Sequence, residues 1–93
     1  MDTHEHSVLV LAEIARDSTA MSQAALIGDF DEVRFLAILV ASKAGRAGMA
    51  DVALAADDLV VILGPMGSQP IADLGEAMVR VAEALDRVDI APN

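Results

Sequence analysis

The chain has 93 residues, enough for one small domain with a thin margin of stability. Hydrophobic residues make up 55% of it, which excludes disorder for most of its length, and the absence of cysteine excludes a disulfide framework, a thiolate zinc site and a thiol nucleophile. A net charge of −9, with no Trp, no Tyr and two Phe, leaves neither the cationic surface nor the aromatic platforms that nucleic acids require.

The first residues, Met1-Asp2-Thr3-His4-Glu5-His6, are polar and acidic where a signal peptide is cationic. They read as a flexible tail over residues 1–6, followed by a single domain over 7–90. The longest apolar run, Phe35 to Ala41, is far short of the roughly 20 residues of a transmembrane helix. A cytoplasmic protein with no membrane contact is expected.

Four helical segments follow. The first is expected from about Ser7, as a cap, to Ile27, with Leu11, Ile14, Ser18, Met21 and Ala25 on one stripe. Gly28-Asp29 closes it with a C′ glycine and offers a new N-cap. The second runs from about Phe30 to Ala44, with Asp31 and Glu32 in its first turn and Lys43 in its last, the signs a helix dipole favours. The glycines of Gly45-Arg46-Ala47-Gly48 end it. The third spans about Met49 to Leu63 and buries Met49, Val52, Ala53, Ala56, Leu59, Val60 and Leu63, with Asp51 and Asp58 outward. Gly64-Pro65-Met66-Gly67-Ser68 is the strongest turn. The fourth is expected from near Pro70 to near Val88, with Ile71, Leu74, Met78, Val81, Ala82 and Leu85 inward and Asp73, Arg80, Glu83 and Arg87 outward. Short connections favour antiparallel neighbours. The fold class is all-α, an up-down-up-down antiparallel four-helix bundle.

The second segment is apolar on two sides. Val33, Leu36, Ala37, Val40 and Ala44 form one stripe, and Phe35, Ile38 and Leu39 form another, bordered by Arg34 and Lys43. Either both stripes are core, because the helix is wedged between two neighbours, or the outer one is a contact surface for a partner or a second subunit. The candidate contact residues are Arg34, Phe35, Ile38, Leu39, Ser42 and Lys43.

Other constellations are weaker. His4-Glu5-His6 offers two imidazoles without a third ligand, and Asp29-x-Asp31-Glu32 lacks the later ligands of a calcium loop. Asp57 and Asp58 are successive on a helix and point apart. Gly45-x-x-Gly48 and Gly64-x-x-Gly67 follow no strand and read as turns, and no serine sits in a nucleophile elbow. No catalytic, cofactor or metal site is expected.

The order of elements resembles that of histidine phosphotransfer domains, with Gly28-Asp29 opening the second helix and Ala37, Gly45, Gly48 and Val52 at the spacing of that family. The resemblance implies a small four-helix bundle that docks a receiver domain or kinase through the exposed part of its second helix. The family's phosphoacceptor histidine is replaced by Ile38, its lysine by Ala41 and the glycine after it by Ser42; moving Lys43 into the lysine position puts Val40 at the histidine. Phosphotransfer at that position is excluded by composition. The expected function is a non-catalytic interaction module that docks a receiver or histidine kinase. A self-associating, homodimeric bundle outside phosphorelay is the alternative.

Overall fold

A computed structural model describes residues 3–88 of the chain, with side chains from Glu5 onward. The described residues are all-helical: α1 (Thr3–Leu26), α2 (Phe30–Arg46), α3 (Ala50–Leu63) and α4 (Leu74–Asp86), with no strand among them. Each helix packs on the next in the chain, α1 also touches α4, and the whole measures 44 × 18 × 18 Å.

α1 starts four residues before the expected cap at Ser7, which lies inside it. Nothing in Thr3–His6 breaks a helix, and Glu5 in the first turn suits the positive end of the dipole. Ile14, Met21 and Ala24 are its buried residues. α1 ends in a Schellman turn. Gly28 takes φ 76°, its N–H donates to Ala25 O (3.1 Å), and the Asp29 N–H donates to Ala24 O (2.9 Å). Asp29 then caps α2, its carboxylate accepting from the Glu32 N–H at 3.2 Å.

The end of α2 repeats this device, two residues beyond the expected end at Ala44. Gly45 is inside the helix, and Gly48, at φ 77°, makes the break, with Met49 N–H donating to Ala44 O at 2.9 Å. The inner stripe of α2 is buried in full: Val33, Leu36, Ala37, Val40 and Ala44. It faces Val52, Ala56, Leu59 and Leu63 of α3, which are completely buried, while Met49, Ala53 and Val60 flank the core.

α4 starts at Leu74, not near Pro70. Its N-cap is Asp73, whose carboxylate accepts from the Glu76 N–H at 3.2 Å. Residues 65–73 are a loop, pinned to α3 by the Ile71 N–H on Ile62 O (2.9 Å). The later start changes which residues face inward. Ile71 lies outside the helix and is exposed, Ala82 is exposed, and Ala77 and Ala84 join Val81 as the buried residues. Counting turns from Leu74 gives positions 77, 78, 81, 84 and 85, whereas counting from Ile71 runs ahead of the true face. Leu74, Met78 and Leu85 pack on the core as expected, and Asp73, Arg80, Glu83 and Arg87 point outward.

Candidate functional site

α2 carries the residues singled out by its double stripe, and the structure divides them. Phe35 is 57% exposed and Ile38 is 54% exposed. Ser42, two turns beyond Phe35, is exposed along nearly the same line of the helix, and Leu39 is half-buried with its side chain packed on the core. The outer face of α2 is therefore an apolar surface centred on Phe35 and Ile38.

The two basic residues do not border that surface as free charges. Arg34 is buried, at 4% exposure. Its Nε donates to Gly64 O (2.8 Å), and its Nη2 donates to Leu63 O and Ser68 O (both 2.7 Å). Nη1 pairs with Asp31 Oδ1, which also accepts the Gly67 N–H at 3.0 Å. One guanidinium thus supplies donors to carbonyls at the C-terminal end of α3, where intrahelical partners run out, and clasps the following turn to the first turn of α2. The planar fork of arginine suits this task because it aims several donors at fixed angles. The expectation that Arg34 lies in the outer contact surface is corrected: its donors are taken up inside the fold.

Lys43 is turned toward α1. Its Nζ lies 2.8 Å from Asp17 Oδ2 and 3.8 Å from Glu13 Oε2. The Asp17 side chain is 15% exposed and that of Lys43 24%, so this ion pair sits at the edge of the core, away from the outer face of α2. What remains outward around Phe35 and Ile38 is apolar and hydroxylic, without a basic group from Arg34 or Lys43.

A shallow groove of about 350 Å³ runs between α3 and α4, with Leu54, Ala55 and Ala84 along it and Asp51, Asp58, Glu83, Arg80 and Arg87 on its rim. Charges of both signs alternate there, and no Ser, Thr or His lines it. Among the described residues no group of three or more His, Asp or Glu side chains is placed to hold a metal ion, and no helix is long and apolar enough to cross a membrane. Asp29, the first carboxylate of Asp29-x-Asp31-Glu32, serves as the cap of α2, and Asp73, expected on the outer face of the fourth helix, serves as the cap of α4. The His4 side chain lies outside the described residues.

The sequence missed the Arg34 clasp. Its only local signal is the i,i+3 spacing from Asp31; the carbonyl partners are about thirty residues away. In comparisons with known proteins, no family model matches the chain, and no curated protein or solved structure matches it.

Proposed function

We propose that the chain is a non-catalytic protein-interaction module, a relative of histidine phosphotransfer domains without the phosphoacceptor, that docks a receiver domain or histidine kinase in the cytoplasm through the outer face of α2. The observation that carries this reading is the 54% exposure of Ile38, with Phe35 beside it at 57%, on a helix whose opposite stripe is wholly buried. The resembling family presents its histidine at that position. An exposed isoleucine there keeps a contact surface and removes the chemistry.

Two sets of bonds support the up-down-up-down topology that goes with this reading. Lys43, near the end of α2, meets Asp17 and Glu13 of α1. Arg34, near the start of α2, meets Leu63 at the end of α3. Both fit neighbouring helices that run in opposite directions, joined by the short turns at Gly28 and Gly48.

The test is a binding titration of purified receiver and kinase dimerisation domains from the same genome against the wild type and Ile38→Asp. A bound receiver or kinase whose affinity falls at least about tenfold in Ile38→Asp, with the helical circular dichroism and melting temperature retained, is the expected result. Binding of none of them, or unfolding of the variant, refutes the reading. Sedimentation showing a wild-type dimer that Ile38→Asp dissociates assigns the same face to self-association instead.

A further inference from the structure

The most exposed large hydrophobic residues are not on α2. Leu26 is 87% exposed, Ile27 79%, Ile71 76% and Met66 74%. All four lie in, or at the edge of, the two connections that adjoin the first turn of α2. Leu26 and Ile27 lead into it through Gly28 and the cap Asp29. Met66 is brought there by its own turn. The Gly67 N–H donates to Asp31 Oδ1 (3.0 Å), and Arg34 holds Gly64 O and Ser68 O at 2.8 and 2.7 Å. Ile71 is fixed beside the last turn of α3 by its N–H on Ile62 O. Small polar residues serve best in such connections. Four bulky apolar side chains that the core does not use are thus exposed at one end of the molecule, and apolar surface exposed in this way marks an interaction site.

The charge around this patch has one sign. Asp29, Asp31, Glu32 and Asp73 are exposed at the starts of α2 and α4. Arg34 is the one basic residue in 26–34 and 62–73, and it is buried with its donors on main-chain carbonyls and Asp31. Two copies meeting by this end would set carboxylates against carboxylates, and a chain of net charge −9 is repelled by an anionic bilayer.

We propose that this end of the molecule is a second contact surface, and that its occupant is a cationic amphipathic helix of a partner protein. Its apolar side chains would lie among Leu26, Ile27, Met66 and Ile71, and its lysines or arginines would face Asp29, Asp31, Glu32 and Asp73. The surface adjoins the outer face of α2, because Asp31 and Glu32 lie one turn before Phe35, but its four apolar residues are on other segments and it does not depend on what docks at Ile38.

The probe is a short amphipathic helical peptide of leucine and lysine, titrated by fluorescence anisotropy against the full chain, with a leucine–glutamate peptide of the same pattern as its counterpart. The leucine–lysine peptide is expected to bind, to weaken about tenfold or more in Leu26→Ser/Met66→Ser and at high salt, and to bind Ile38→Asp as it binds wild type. The glutamate peptide is expected not to bind. Should the double variant lose helicity, Ile71→Ser, in a loop, gives the same readout. Undiminished binding to these variants, equal binding of the two peptides, or loss of binding in Ile38→Asp overturns the proposal. So does sedimentation showing self-association that Leu26→Ser/Met66→Ser abolishes, or binding of the chain to phosphatidylserine vesicles.

Discussion

Arg34 and Phe35 are successive in the chain, and the arginine is 4% exposed while the phenylalanine is 57% exposed. This inverts what the two side chains would do in isolation. The inversion has a cause on each side. The helix that buries Val33, Leu36 and Ala37 turns Phe35 away from the core, and no neighbouring helix covers that direction. Arg34 sits at the border toward α3, where the last carbonyls of that helix need donors. A buried cation is tolerated there because its nitrogens meet Leu63 O, Gly64 O, Ser68 O and Asp31.

Arg34→Ala is therefore expected to lower stability by about 3 kcal/mol, because it strips charge-assisted donors from buried and half-buried carbonyls. That is a large part of the total for a domain of this size. Arg34→Lys should recover only a fraction, since an ammonium does not reproduce the fork that reaches Gly64 and Ser68 together. Urea unfolding followed by circular dichroism measures both. A change under about 0.5 kcal/mol for Arg34→Ala would show that the clasp does not hold the fold.

The helices were legible in the sequence because their signals are local. Asp29 as a cap, Gly28 as a left-handed terminator and the inner stripe of α2 all depend on residues within two turns of each other. The errors have equally physical origins. Gly45 and Gly48 look alike in sequence, but only Gly48 has the positive φ that stops a helix. Pro70 is a good first-turn residue, yet Asp73 and Glu76 make a better start three residues on. At the candidate site, the exposure of Phe35 and Ile38 follows from helical period once the inner stripe is known. The fate of Arg34 and Lys43 does not, because it rests on partners about thirty residues away in one case and 26 in the other.

The Lys43–Asp17 pair gives a second prediction. Both side chains are mostly buried and their contact is 2.8 Å, so screening is weaker than for an exposed pair such as Arg80–Glu76, at 3.4 Å with both side chains about half exposed or more. A double-mutant cycle with Lys43→Met and Asp17→Asn should give a coupling energy of about 1 kcal/mol, and the corresponding cycle at Arg80 and Glu76 about 0.3 kcal/mol. Equal coupling in the two cycles would mean that the burial of Asp17 does not strengthen the pair.

The glycines at the end of α2 give the last prediction, and they test the helix boundary directly. Gly45 lies within the helix without a positive φ, and a Cβ built there meets nothing within 4 Å. Glycine in that setting leaves the unfolded chain more freedom than alanine does, so Gly45→Ala is expected to stabilise the protein by about 0.5–1 kcal/mol. Gly48 also has open space around its Cβ position, but its φ of 77° is one that side chains rarely adopt. Gly48→Ala is expected to destabilise by about 1 kcal/mol, through backbone strain alone. The two substitutions are three residues apart and chemically identical, so their opposite signs isolate backbone conformation as the cause. Thermal melts resolve the difference, since about 1 kcal/mol moves the midpoint of a domain this small by roughly 4–8 °C. If both substitutions destabilise, α2 ends at Ala44 and the break spans both glycines.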